Sequence, residues 1–135
     1  MSSNKKIEGL ILQMENYSEC WKQFIRFVNV ARSKKFSVDD ENQFLELKCL
    51  MTQELEIILA EVDCESPTKE EVLSLIGSVP SIRYVSEMGE GAIRGIENQW
   101  HKIFIAWQSN LGQLKVHQHS TDGKSKFSGV FSGRS

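Results

Sequence analysis

Proline is scarce in this chain of 135 residues, and its two occurrences, Pro67 and Pro80, both lie in the middle of the sequence. A proline inside a helix removes a backbone donor and costs about 3 kcal/mol. The segments before Pro67 and after Pro80 are therefore free of the strongest helix breaker. This shortage of proline predicts long helices on both sides of one broken central segment.

Cysteine is also sparse, and Cys20, Cys49 and Cys64 form an odd set without CxxC spacing. Such a set is unlike the regular disulfide framework of a small secreted domain. Cys20 and Cys49 lie within helical patterns, where a reduced cysteine behaves as a small apolar residue. Cys64 is expected to be the exposed thiol, with a pKa raised by Asp63 and Glu65, so thiol catalysis is not expected.

Long hydrophobic runs and a strong charge of one sign are missing as well. No apolar stretch reaches the roughly 18 residues that a membrane span needs. The polar start of the chain, residues 1–6, is unlike a signal peptide. A net charge of −2 is too small to direct the protein to nucleic acid or a membrane surface. These features favour a soluble, cytoplasmic, single-domain protein.

The strongest positive signal is an unbroken heptad pattern in the first segment. Its apolar residues alternate at spacings of three and four: Ile7, Leu10, Met14, Tyr17, Trp21, Phe24, Val28 and Ala31. This spacing predicts one helix with a coiled-coil-like contact face. Ile11, Ile25 and Phe27 broaden the stripe, which indicates contact with two neighbouring helices.

Two further segments have helical periodicity. Ser37 is a suitable N-cap for the second helix. The stripe of that helix comprises Phe44, Leu47, Met51, Leu55, Ile58 and Val62, and Leu45, Leu50, Ile57 and Leu59 are expected to broaden it. The last helix is predicted to end near His117. Its stripe comprises Ala92, Ile96, Trp100, Ile103, Trp107, Leu111 and Leu114.

The region between these helices predicts one or two short helices. Ser66–Pro67 has the residue types of an N-cap and a first helical position, and Gly77 is expected to end that helix. Pro80 is predicted to open another, which the segment 89–91 separates from the last helix. The predicted fold is all-α: an antiparallel helical bundle of three long helices plus one or two short helices between the second and last long helix. A four-helix bundle with a bent last helix is the alternative.

Residues 1–118 are predicted to form the bundle domain and residues 119–135 a flexible Gly/Ser/Lys tail. The tail repeats Phe-Ser-Gly at Phe127 and Phe131. Two aromatic residues on a polar linker are typical of a short docking segment, and plain disorder is the equally weighted alternative.

Charge is segregated between the first two helices. Residues 1–38 hold seven Lys and Arg against three Asp and Glu, or +4, whereas residues 39–65 hold one against nine, or −8. We expect the basic first helix to fold back on the acidic second helix with complementary flanks. Because the acidic excess is the larger, the solvent face of the second helix should remain negative.

Few residues suggest a site. Trp100 and Trp107 share one face of the last helix, most simply as core residues, but an exposed edge of that stripe would suit a partner. The predicted partner-binding residues are Trp100, Trp107, Phe127 and Phe131. No catalytic, cofactor-binding or metal-ligating residue is predicted.

Two other patterns in the last helix have structural interpretations. Glu97 and His101 lie one turn apart, but a single pair offers a metal two ligands at most, so a surface hydrogen bond between them is expected. Gly91 and Gly95 form a Gly-x-x-x-Gly pattern between charged residues. We expect it to allow a close helix crossing within the bundle, since the membrane role of such a pattern does not fit charged flanks.

The sequence therefore predicts a non-enzymatic helical bundle that acts through protein contacts, as an adaptor, scaffold or small subunit, and that can self-associate. The alternative is a small subunit or inhibitor within a nucleic-acid-associated complex. The basic residues at the ends of the first helix, such as Lys5 and Arg32, favour that alternative, and the acidic second helix opposes it.

Overall fold

A computed structural model describes the backbone of residues 3–131 and the side chains of residues 5–119. Its helices are α1 (Ser3–Ser33), α2 (Val38–Glu61), α3 (Lys69–Gly77), α4 (Ile82–Ser86) and α5 (Glu90–Phe131). The predicted all-α fold, with three long helices and two short ones between the second and the last, is confirmed. No helix in this part of the chain is long and apolar enough to cross a membrane.

The first two helices form an antiparallel hairpin. Near the start of α1, the ammonium of Lys6 lies 3.2 Å from the carboxylate of Glu61 at the end of α2. Further along, the hydroxyl of Tyr17 donates to the carbonyl of Met51 at 2.9 Å. Later positions of α1 therefore contact earlier positions of α2, as in any antiparallel pair.

The long α5 helix packs antiparallel on another side of α1. Glu15 pairs with Lys115 at 3.2 Å, and Arg32, near the end of α1, pairs with Glu97 at 2.7 Å. As α1 advances, its partners in α5 move toward the start of that helix. The broad apolar stripe of α1 thus contacts helices on two sides, as its sequence predicts.

The two short helices together run antiparallel to α2. Lys69, at the start of α3, pairs with Glu56 at 2.7 Å. At the start of α4, the carboxylate of Glu41 accepts hydrogen bonds from the backbone amides of Ile82 and Arg83 at 2.9 and 2.8 Å. The α3–α4 segment therefore takes the place of one helix in an up-down-up-down four-helix arrangement.

The predicted stripes of α1 and α2 supply half of the buried apolar residues of the described chain. The buried members are Ile7, Met14, Tyr17, Trp21, Phe24, Val28, Ala31, Phe44, Leu47, Met51, Leu55 and Ile58. Leu10 and Val62 are half-buried. Aromatic rings fill the centre: the Phe24 and Phe44 rings are 5.5 Å apart, and the Tyr17 and Trp107 rings are 5.2 Å apart and nearly perpendicular.

The helix starts agree with the sequence at α2 and differ at the two short helices. Ser37 caps α2 by accepting a hydrogen bond from the Asp40 amide at 3.0 Å. The helix predicted to open at Ser66–Pro67 instead begins after Thr68, since Thr68 and Glu71 form a reciprocal capping box. Pro80 likewise lies before the helix, because Ser81 supplies the side chain that caps α4.

The last helix keeps most of its predicted stripe, since Ile96, Ile103, Trp107 and Leu111 are buried, but it differs from the prediction at its first apolar position and at its end. At its start, Ala92 is exposed and Ile93 is buried in its place. Ile93 and Ile96 are three residues apart and therefore lie on the same face of the helix, toward the core. The backbone of α5 continues as helix to Phe131 and does not end near His117. No proline follows Pro80, and a single glycine costs a helix only about 1 kcal/mol. The predicted division into a bundle domain of residues 1–118 and a flexible tail of residues 119–135 stays a prediction.

The predicted role of the Gly-x-x-x-Gly pattern is wrong. A Cβ atom added at Gly91 or Gly95 would meet no heavy atom within 4 Å. These glycines therefore face open space, and no neighbouring helix approaches closely enough to require a missing side chain.

Candidate interaction surface

The two tryptophans predicted for partner binding occupy different environments. Trp107 is 1% exposed and packs edge-on against Tyr17 in the core. Trp100 is half-buried, stacks on Phe104 with ring centroids 4.8 Å apart, and donates its indole N–H to the carbonyl of Trp21 at 2.8 Å. Of this pair, only Trp100 offers an edge to the surface. The Phe127 and Phe131 side chains lie outside the described side chains, and partner binding by all four residues stays a prediction.

The Glu97 carboxylate serves the contact between α1 and α5. Glu97 accepts a hydrogen bond from the Arg32 guanidinium at 2.7 Å, and this bond lowers the pKa of Glu97 below its ordinary value. The same guanidinium lies 2.9 Å from Glu90. Within the described residues, Glu97 bonds Arg32 and does not form the expected hydrogen bond with His101.

The exposures of Cys49 and Cys64 are the reverse of those that the sequence predicts. Cys49 is exposed, whereas Cys64 is half-buried. Burial, followed by the charge of Asp63, raises the pKa of the Cys64 thiol. Within residues 5–119, no group of three or more His, Cys, Asp or Glu side chains could hold a metal ion.

One shallow depression lies between α1, the α2–α3 connection and α5. It encloses about 240 Å³, below the roughly 300–1,000 Å³ of typical ligand sites. Its lining comprises Leu10, Glu61, Val62, Asp63, Cys64, Asn110, Gln113 and Leu114. Glu61 already pairs with Lys6, and Asn110 donates to the Ser66 carbonyl at 2.8 Å, so the depression is better explained by packing than by ligand binding.

Three basic residues in or just after α1 make contacts within the bundle. Lys6 pairs with Glu61 of α2, as the charge pattern predicts. Arg32, however, pairs with α5, and the ammonium of Lys34 donates to the carbonyl of Ser86. These cations join helices to one another, which weakens the case for a nucleic-acid surface at the end of α1.

Three large apolar residues of α2 are exposed, contrary to what the sequence predicts. Leu45, Leu50 and Ile57 were expected to broaden the buried stripe, but they are 57%, 44% and 48% exposed. At about 100° per residue, Leu45 projects roughly 120° to one side of the middle of the buried stripe, and Leu50 and Ile57 project roughly 100–120° to the other side. That angular separation is the signal in the sequence that could have identified them.

We call the exposed side of α2 that carries these side chains and Cys49 the α2 outer face. Exposed Asn42, Glu46 and Gln53 lie between its apolar residues. Leu45, Cys49, Gln53 and Ile57 lie on one row of i, i+4 spacing, in which the polar Gln53 separates Ile57 from the other two. Leu50 precedes Ile57 by seven residues, or two turns, and therefore lies beside the row.

The surroundings of the α2 outer face are negative. Exposed Asp39 and Glu46 are seven residues apart on its side of the helix. Lys48 is the one cation among residues 39–65. It turns toward the α3–α4 connection and donates to the carbonyls of Val79 and Pro80 at 2.9 and 2.7 Å. This basic side chain therefore leaves the carboxylates of the outer face unneutralised.

Comparisons of the chain with protein-family models, curated proteins and solved structures gave no match.

Proposed function

We propose that this protein is a non-enzymatic, cytoplasmic helical bundle that acts through protein contacts, as an adaptor, scaffold or small subunit of an assembly. The observation that supports this proposal is the α2 outer face, on which Leu45, Leu50 and Ile57 are each more than two-fifths exposed. Three large exposed apolar side chains within thirteen positions of one helix give a protein partner apolar area to bury.

The core also supports a binding role over a catalytic one. Catalysis needs polar groups that converge on a concave site. The buried polar residues of the described chain are Ser18 and Ser86. Each donates its hydroxyl to a carbonyl of its own helix, at Met14 and Arg83 respectively. Ser18 also accepts a hydrogen bond from the side-chain amide of Gln108 at 2.9 Å, so both hydroxyls are engaged in contacts within the bundle.

The test is recovery of partners by the full chain. The tagged protein is cross-linked in extract, and enriched proteins are quantified beside a form that ends at His119 and a Leu45→Ser/Ile57→Ser variant. We expect a discrete set of partners. Loss on truncation would assign them to the predicted tail with Phe127 and Phe131, and loss in the double variant to α2.

Light scattering of the purified chain tests self-association in parallel. A strict monomer without any enriched partner would contradict the proposed function. Salt-sensitive binding in a gel-shift titration with DNA or RNA would instead favour the nucleic-acid-associated alternative.

A further inference from the structure

The chain breaks between α3 and α4, and a cation of α2 binds the backbone just after α3. The ammonium of Lys48 donates to the carbonyls of Val79 and Pro80 at 2.9 and 2.7 Å. These carbonyls lie two and three residues beyond Gly77, the last residue of α3, so the positive charge is near the negative end of the helix dipole. Burial lowers the pKa of the Lys48 ammonium, and the two carbonyls replace the water that this group has lost.

An acidic side chain two turns earlier in α2 binds the start of α4. The carboxylate of Glu41 accepts hydrogen bonds from the amides of Ile82 and Arg83 at 2.9 and 2.8 Å, one on each oxygen. These are the first two amides of α4, which have no partner inside the helix. Ser81 supplies the acceptor for the third amide, that of Tyr84. The start of α4 is therefore held chiefly by one carboxylate of another helix.

Two ion pairs that join α3 to the long helices lie on the surface. Lys69 pairs with Glu56 of α2 at 2.7 Å, and Lys102 of α5 pairs with Glu71 at 3.9 Å. The four side chains are between 38% and 75% exposed. Exposed ion pairs contribute little to stability, because water and salt screen their charges. The partly buried contacts of Lys48 are therefore the stronger polar contacts between α2 and this part of the chain.

The two short helices depend on their contacts with the rest of the bundle. They have nine and five residues, and isolated helices shorter than about 12–15 residues are marginal in water. Helix α3 contacts α2 and α5, and α4 contacts α1 and α2. At the end of α4, Lys34 donates to the carbonyl of Ser86. Exposed residues, Thr68 and Gly89, border the two helices on either side.

We propose that α3 and α4, residues 69–86, open as one unit while the three long helices stay folded, and that Glu41 and Lys48 form the latch that holds this unit closed. Proteins open locally in cooperative segments, and segments with few stabilising contacts open most readily. Opening uncovers the apolar surface of α1, α2 and α5 that the unit covers in the closed bundle. This device goes beyond the proposed function, because it determines which surface the bundle presents and not which partner binds there.

Hydrogen exchange of the unaltered full chain provides the first test. Exchange is followed by mass spectrometry in low concentrations of denaturant, and the central amides of α1 serve as the internal reference. We expect the amides of α3 and α4 to exchange faster than the reference and with a weaker dependence on denaturant, because a local opening exposes less surface than global unfolding. If both sets of amides exchange at the same rate and with the same denaturant dependence, the unit opens only with the whole molecule and the proposal is wrong.

Two substitutions in α2 test the latch. Lys48→Met removes the ammonium, and Glu41→Gln leaves one carbonyl oxygen where two amides need acceptors. Each should speed exchange in α3 and α4 about tenfold or more, because hydrogen bonds to charged groups contribute more than neutral ones. The matched controls are Lys69→Met, whose ion pair is exposed, and Asp39→Asn, which makes the same charge change in the first turn of α2. Both should have much smaller effects.

A substitution outside the unit separates local opening from global unfolding. Tyr17→Phe removes a hydrogen bond between α1 and α2. It should therefore speed exchange of the central amides of α1 and leave that of α3 and α4 unchanged. Equal acceleration of all helices by Tyr17→Phe would overturn the proposal. The same holds if Lys48→Met and Glu41→Gln speed exchange in α3 and α4 no more than their matched controls do.

Discussion

The centre of the bundle contains large aromatic side chains that each carry one polar atom. Tyr17 donates its hydroxyl to Met51, and burial raises the pKa of this phenol above its ordinary value, so it stays neutral at physiological pH. Within the described residues, the indole nitrogens of Trp21 and Trp107 are buried without a hydrogen-bond partner. Their presence in the core is explained by the apolar area that each ring buries.

The hydrogen bond of Tyr17 should make a measurable contribution to stability. We expect Tyr17→Phe to lower the free energy of unfolding by about 1 kcal/mol, because it removes the bond to Met51 and leaves the ring in place. Tyr84→Phe is the control, since Tyr84 is 54% exposed and should change little. Denaturant unfolding of both variants provides the comparison, and equal losses would contradict the assignment.

The helices show which local signals decide where an element starts. Ser37 was identifiable as a cap because Asp40, three residues later, completes a capping box. At α3, two candidate caps lie within three residues of each other. Thr68 prevails over Ser66 because its partner at the third position is Glu71. The sequence contained this signal, but the proline at position 67 made the earlier start look equally suitable.

The start of α3 leads to a prediction at the scale of an element. Thr68→Ala should lower the free energy of unfolding by about 1 kcal/mol, since it removes the acceptor for the Glu71 amide. Ser66→Ala should cost clearly less, because Ser66 contributes its backbone carbonyl, bonded by Asn110, and the substitution keeps that group. Thermal unfolding of the two variants tests this, and a larger loss at Ser66 would restore the original start.

The glycine pattern of α5 leads to a second prediction at this scale. Gly95→Ala should raise the free energy of unfolding by up to about 1 kcal/mol, because alanine favours helix and its Cβ meets open space. Gly112→Ala, also open within α5, should behave in the same way. If a close helix crossing required Gly95, its substitution would destabilise the protein while that of Gly112 would not. Chemical denaturation distinguishes the two results.

Across the whole molecule, α1 is the helix that joins the others. It contacts α2 through Tyr17 and Met51, and α5 through Arg32 and Glu97. Arg32, Glu90 and Glu97 form a charged group that we call the Arg32 cluster. It lies where α1 ends and α5 begins, and its ion pairs join these two long helices. The α2 outer face lies away from these contacts, which leaves it accessible to a partner.

The Arg32 cluster predicts how stability depends on pH. The pKa of Glu97 is lowered from 4.5, chiefly by the hydrogen bond from Arg32. Its contribution is therefore complete above pH 4.5 and is lost as the pH falls through the lower folded-state pKa. Glu97→Gln should be less stable than the parent at neutral pH and should show a shallower acid-induced loss. The effect should be modest, because the paired side chains are about one-third exposed.

Denaturant unfolding from neutral to acidic pH measures this difference. The control is Glu46→Gln, which alters an exposed carboxylate on α2 and should leave the acid-induced loss unchanged. An unaltered pH dependence in Glu97→Gln, or an equal change in Glu46→Gln, would contradict the role assigned to Arg32 and Glu97.

The sequence by itself determined the helical class, the number of long helices and the buried stripes of α1 and α2, because periodicity and proline placement are local properties of the chain. Tertiary structure decided which of two adjacent caps starts α3, that Arg32 pairs with α5, and that Leu45, Leu50 and Ile57 stay exposed. These outcomes depend on the positions of neighbouring helices. A leucine beside a stripe becomes buried only if another element packs against it, and in this protein none of the described elements covers the outer face of α2.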